Sequence, residues 1–414
     1  MLSVEEALQQ VQARANTRPP AARPVRESLG LLLAEDVTSD VDSPPHDKSM
    51  VDGFAVHSSD LTGGTAELEV LEEVMAGDVP HRAVTQGTAV RVMTGAPIPE
   101  GADAVVMVEQ SEWIPGQGSL GRVRLNLERL RPGQHIMPRA TSMSKGQRVL
   151  SSGHLLRSIE LGVLAEVGRA EVSVVPRPTL AVLATGNELV PPLVIPSAGH
   201  IRNSNGQMLV AAARSAGAAA VDLGIARDDV EELRKLIAFG LESDILVVSG
   251  GVSAGVLDLV PGVLQSLGVE QVFHKIRLKP GKPLWFGVRS DPAGDKLVFG
   301  APGNPVSSLV CFELFVRPAI ASLAGRGWPE MPEVPAALQN DHLQRGDRPS
   351  YLPARVQNVD GQMTVELVRW HGSGDLLGLV EANALAHFPP GERTFAAGET
   401  VGVLPLAQQV PWTW

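Results

Sequence analysis

Four short segments join turn-forming glycines to groups able to hold an anion or a metal: Thr185-Gly186-Asn187-Glu188, Arg227-Asp228-Asp229, Ser249-Gly250-Gly251-Val252-Ser253 and Pro302-Gly303-Asn304-Pro305. Each follows an apolar run. In open α/β sheets, ligands bind outside the carboxyl ends of the strands. Glycine lets the backbone approach a ligand closely. A turn that runs into a helix presents free N–H groups to an anion. SGGVS and PGNPVSS have this form. One such loop reads first as a structural turn; with two in one crevice, an anion cradle is an equal reading.

Glu188, Asp228 and Asp258 stand at or just beyond these strand ends. Asp228 and Asp229 precede VEELRKL, and Asp258 precedes LVPGVLQ, so helix capping explains them as simply as ligand binding does. Glu188 has no evident capping role. Several carboxylates in one crevice would suit Mg²⁺, which takes oxygen ligands. The stretch HKIRLKPGKP concentrates positive charge. Read as a strand, it puts Lys275, Arg277 and Lys279 on one face, with Lys282 across the Pro-Gly turn. That is a local anion site or an edge strand kept soluble by lysine. Asp52-Gly53 and Thr94-Gly95 read as turns at strand ends.

The elements that must position these residues fall into zones of different texture. Residues 1–41 begin with an amphipathic helix, MLSVEEALQQVQARA, and residues 42–139 look β-rich, as a small barrel or sandwich would. KGQRVLSSGHLLRSIELGVLAEVG reads as helical and groups residues 140–176 with 1–41, which makes 42–139 an insertion. From 177 to 327, apolar strands alternate with helices of about ten residues, the pattern of a parallel sheet with helices on both faces. Residues 328–414 return to short strands and turns, a second small β-domain.

With 414 residues, the chain exceeds the roughly 250–300 at which one core divides. Hydrophobic residues make up 44% but aromatics only 4%, so Ala, Val and Leu must fill the cores. The net charge of −11 opposes nucleic acid or an anionic membrane as a bulk partner. Any anionic ligand then needs concentrated local cations and N–H donors. The single cysteine, Cys311, excludes an intrachain disulfide and reads as a buried helix residue. The N-terminus lacks a signal-peptide core, and the expected compartment is the cytoplasm. GQGSLG (116–121) matches a dinucleotide fingerprint, but a strand-like run follows it where a helix is required. There is no GxxxxGK[ST].

Taken together, SMVDGFAV (49–56), MTGAPIPEGADAVVMVE (93–109), ATGNEL (184–189), LGIARDD (223–229), VVSGGVSAG (247–255), LKPGKP (278–283), GAPGNPVSS (300–308) and HGSGDL (371–376) resemble, in order, the molybdopterin molybdenumtransferase family, that of MoeA and the gephyrin E-domain. The resemblance covers essentially the whole chain. It implies a multidomain α/β-plus-β protein: a central molybdopterin-binding parallel-sheet domain (177–327), an inserted β-rich domain (42–139), a split N-terminal domain (1–41 with 140–176) and a C-terminal small β-barrel (328–414). It implies a homodimer whose cleft is shared between subunits. The implied reaction takes adenylylated molybdopterin and molybdate, releases AMP and leaves molybdenum on the dithiolene, with Mg²⁺ as helper.

By the same resemblance, Asp52 and Thr94 reach the cleft from the partner chain. Glu188, Asp228 and Asp258 hold metal or order the substrate. Lys275, Lys279 and Lys282 neutralise molybdate and phosphate. Ser249, Gly250, Gly251, Ser253, Pro302, Gly303, Asn304 and Pro305 form the anion loops, and Arg348 and Ser373 come from the fourth zone. The chain departs from the family in three places. Ala140-Thr141-Ser142 replaces Gly-x-Asp; Gly255 is followed by Val256, Leu257, Asp258 and Leu259 where the family often has Gly-Glu-x-Asp-Tyr, so Asp258 is retained but the Glu and Tyr are not; and Lys48 replaces a common Asn. The missing acid motivates an alternative, a non-catalytic carrier or scaffold on the same fold.

Overall fold

The computed structural model describes residues 1–117, 119–252, 259–292, 294–329 and 333–406. They form two compact units, one of residues Met1–Ala22 with Ser173–Trp414 and one of Arg23–Val172.

The larger unit is built on a six-stranded sheet in the order Ala219–Ala226, Thr179–Thr185, Ile245–Ser249, Lys296–Ala301, Trp285–Arg289, Glu270–His274. Burial on both faces explains the apolar strands. Leu180, Val182, Ile245, Val247, Leu297 and Phe299 point into one core, and Ala181, Leu183, Leu246, Val248 and Val298 into another. This is the period-2 alternation of a strand covered on each side. Helices Val230–Gly240 and Val260–Ser266 pack in the second core. Helix Asn205–Ser215 and the run Pro305–Leu323 pack in the first.

The first four strands are parallel, but Trp285–Arg289 runs antiparallel to both of its neighbours. The sheet is therefore mixed, which corrects the expectation of a parallel one. HKIRLKPGKP is the reason. It is not a strand; Glu270–His274 ends at its first residue, and the rest loops directly into Trp285–Arg289. A link this short cannot hold a crossover helix, so the strands it joins must run antiparallel.

Pro305–Leu323 is long and apolar enough to cross a bilayer, but 83% of it is buried in the fold. A π-turn, Phe312–Val316, interrupts it just before Pro318, whose ring leaves no N–H for the helical ladder. Cys311 is buried here, as expected. The N-terminal helix Val4–Gln12, capped by Ser3 and Glu6, buries Val4, Ala7 and Val11 in this same core. Its packing is thus with the α/β unit, although the sequence groups it with 140–176. The unit also carries a closed barrel of Val334–Leu338, Gln362–Leu367, Ser350–Val359, Ala384–Phe388 and Thr400–Pro405 around its own core.

The second unit centres on a six-stranded sheet ordered Ala104–Met107, Gly53–Val56, Thr88–Val92, Thr65–Val74, Arg122–Asn126, Ser111–Ile114. Among the described residues it is open, not a barrel. KGQRVLSSGHLLRSIELGVLAEVG is only half helical: Arg148–Leu150 pairs with Val37–Thr38, and the helix starts at Ser158. A left-handed turn at Gly153 separates the two conformations.

Candidate active site

Four neighbouring parallel strands end on one edge of the sheet, so their following loops stand side by side. Between them lies a cavity of about 650 Å³. Glu188, Asp228, Ser249, Gly250, Gly251, Pro302, Gly303, Asn304 and Pro305 all line it. The chain reverses its winding direction around Thr179–Thr185, whose two neighbours follow it in sequence on opposite sides. This is the switch point at which such sheets open a crevice.

The carboxylates divide their work. Asp229 caps helix Val230–Gly240 by accepting from the Glu232 N–H at 2.9 Å. Asp228 is thereby left to the crevice. Among the described residues it hydrogen-bonds with Asn187, whose N–H donates to it at 3.3 Å and whose side-chain oxygen accepts its N–H at 3.2 Å. Glu188 is exposed and folds back over Gly186. Two carboxylates on adjoining loops suit a Mg²⁺ that keeps waters and substrate oxygens as its other ligands. No group of three His, Cys, Asp or Glu able to hold a metal occurs among the described residues. Ser253 and Asp258 lie outside the described residues.

Two of the expected cradle donors are already engaged. Gly250 N–H donates to Ala301 O at 3.1 Å, and Val306 N–H to Ser373 O at 3.0 Å. The loops are instead held by Asn205, which donates from Nδ2 to Ser249 Oγ and to Gly303 O, both at 2.8 Å. Asn304 Nδ2 reaches Ser373 Oγ at 2.8 Å, tying the fourth zone to the rim, where Gly374 joins the lining. Gly250 and Gly251 have positive φ. A Cβ on Gly250 would lie 2.5 Å from Thr185 O, and one on Gly251 would lie 2.8 Å from Thr185 Oγ1. No other residue fits. Thr185 Oγ1 and Asn205 Oδ1, buried at the crevice floor, have no hydrogen-bond partner among the described residues.

The basic stretch is placed elsewhere. Lys275, Lys279, Lys282 and Arg348 are not among the cavity's described lining residues, although Pro283 is. Lys275 has φ +67°, a strained value for a side chain of its length. The loop docks on the barrel segment: Lys279 N–H donates to Pro349 O, Tyr351 N–H to Lys279 O, and Arg348 Nη1 to Leu278 O. In the second unit, Asp52 Oδ1 accepts from both the N–H (2.7 Å) and the hydroxyl (2.8 Å) of Thr94. These bonds hold the Asp52 carboxyl below its usual range. Gly53 is obligatory, since a Cβ there would meet Val106 O at 2.0 Å.

Three family models cover the chain in succession: the MoeA N-terminal region, domains I and II, over residues 2–168; a probable molybdopterin binding domain over 181–322; and the MoeA C-terminal region, domain IV, over 335–406. A molybdopterin molybdenumtransferase of Staphylococcus aureus is 32% identical over 413 residues, 97% of this chain and 95% of that protein. One from Bacillus subtilis is 33% identical over 398 residues, 94% and 91% of the two chains. The crystal structure of a molybdopterin biosynthesis MoeA protein from Pyrococcus horikoshii superposes with a TM-score of 0.80 at 31% identity, covering 98% of this chain and 99% of that one. The chain belongs to the molybdopterin molybdenumtransferase family.

Within this family member, the crevice lining includes a polar run that sequence reasoning passed over: Arg202, Asn203, Ser204 and Asn205. The signal was the run RNSNG just before helix Asn205–Ser215, a polar helix entry at the end of a short strand, Ile201–Arg202. Asn203 accepts the Gly206 N–H at 3.0 Å and so sets the entry. The departure at Ala140 also has a visible consequence. Ala140 keeps φ +60°, a glycine-like conformation, while Ser142 N–H donates to Ser43 O at 2.9 Å.

Proposed function

We propose that this chain is a transferase that inserts molybdenum into molybdopterin in molybdenum cofactor biosynthesis. The observation that carries the reading is the crevice at the switch point: the motif residues of four loops converge on one cavity in a chain that matches molybdenumtransferases over nearly its whole length. The substrate is adenylylated molybdopterin. Its phosphoanhydride is cleaved, AMP leaves, and the dithiolene sulfurs take up molybdenum from molybdate.

The chain's own part is to bind and orient. Asn205 fixes the Ser249 and Gly303 loops against each other, so the crevice keeps its shape without rearranging as charge moves. Glu188 and Asp228 hold Mg²⁺, which when bound lowers the repulsion between phosphate oxygens. Lys275, Lys279 and Lys282, on a loop strained at Lys275 and docked on the barrel segment through Leu278 and Lys279, concentrate positive charge for molybdate in an acidic protein. The assembly is a cytoplasmic homodimer in which the partner subunit's Asp52 and Thr94 face the crevice.

The test is AMP release from purified adenylylated molybdopterin, with molybdate and Mg²⁺, coupled to reactivation of a cofactor-free molybdenum enzyme. Molybdate-dependent release with reactivation is expected. Tight binding without release would sink the transferase reading and make Ser142→Asp the next variant.

A further inference from the structure

The cavity is built for an anion-bearing substrate, yet its described lining is poor in positive charge. Glu188 and Asp228 contribute carboxylates, and one residue, Arg202, contributes a cation. The lysines of 275–282 are not in that lining. Arg202 is exposed, and no carboxylate lies within ion-pair distance of it among the described residues. It is nevertheless held. Its Nε donates to Val194 O at 3.0 Å, and the short strand that carries it pairs with Leu189–Val190. With Nε engaged, Nη1 and Nη2 remain as a two-pronged edge, the geometry that matches two oxygens of one phosphate.

We propose that Arg202 is a substrate-binding residue that grips the phosphate of the nucleotide portion through Nη1 and Nη2. This rests on the functional reading above and adds to it the group that supplies positive charge inside the crevice. The anchoring bond that Nε donates to Val194 O sets the direction of the fork before substrate arrives, which lowers the entropy lost on binding. Lysine cannot reproduce this. It carries the charge but has neither the Nε anchor nor the planar fork.

The experiment measures binding of AMP and of adenylylated molybdopterin to the full-length chain, to Arg202→Ala and to Arg202→Lys, across a range of salt concentrations, with a thermal melt of each. Arg202→Ala should weaken both ligands by about tenfold or more, as loss of a charge-assisted contact does. It should also flatten the salt dependence and leave the melting temperature in place. Arg202→Lys should restore the salt dependence but not the affinity, whereas a purely structural role would move the melt and not the salt slope. If either folded variant binds both ligands as tightly as the parent and with the same salt dependence, the assignment is overturned while the functional reading stands. If the parent chain binds neither ligand, both fall together.

Discussion

Two Thr-Gly turns at strand ends look alike in the sequence and behave in opposite ways in the fold. Thr94-Gly95 follows strand Thr88–Val92, and its hydroxyl and N–H both reach Asp52 in the open. Thr185-Gly186 ends strand Thr179–Thr185 beneath the Ser249–Gly251 turn, and its hydroxyl is buried without a partner among the described residues. The first turn is satisfied before any ligand arrives. The second carries an uncompensated polar atom at the floor of a crevice, where unpaired groups are costly and mark sites under functional demand. A dipeptide therefore says that a turn exists; its surroundings decide whether the turn is complete.

The contrast is sharpest at the glycines beside each threonine. Gly250→Ala would place a methyl 2.5 Å from Thr185 O at a positive φ, whereas a methyl on Gly95 would come no nearer than 3.7 Å to Ala76 Cβ. Gly250→Ala should cost about 3 kcal/mol through backbone displacement and strain. Gly95→Ala should cost only about 1–2 kcal/mol, the left-handed penalty alone. Chemical denaturation of both variants checks the order, and equal losses would break the comparison.

Replacing each threonine by valine should give effects of opposite sign. Thr94→Val removes a bond to a carboxylate and should destabilise by about 0.5–1.5 kcal/mol, whereas Thr185→Val removes an orphan and should stabilise by about 1 kcal/mol. Melts of the pair decide it; a destabilised Thr185→Val would mean that its hydroxyl is in fact partnered.

The smallest effect concerns pH. The Asp52 carboxyl is held low by the Thr94 N–H and hydroxyl. Its contribution is fully present above the unfolded value near ~4 and is lost as pH falls through the lower folded value. The stability difference between the parent and Asp52→Asn should be flat from about pH 5 to 8 and shrink below about pH 4. A difference that instead varied between pH 6 and 8 would point to another titrating group.

Much of the α/β unit was legible because its signals are local. Helix Val230–Gly240 could be read from its apolar periodicity and from the acids before it, and strand Ile245–Ser249 from an unbroken apolar run. The basic loop misled for a physical reason. Its alternation of buried Ile276 and Leu278 with exposed Arg277 and Lys279 is real, but a loop packed on one side shows the same period as a strand. The half-helical 145–168 segment failed likewise: a left-handed turn at Gly153 delays the helix to Ser158, and composition averaged it away.

The sequence by itself determined which residues stand at the ends of the parallel strands, because apolar runs and glycine turns are properties of neighbours in the chain. It also carried enough ordered motifs to establish the family. Only the tertiary structure decided which of those residues share a cavity. Asp228 faces the crevice because Asp229 takes the cap, Lys275 and Lys279 stand with the barrel, and Arg202 and Asn205 enter from a short strand and the helix after it, which no charge pattern singled out. These outcomes depend on packing between segments distant in the chain, and packing of that kind leaves no periodic trace in either segment alone.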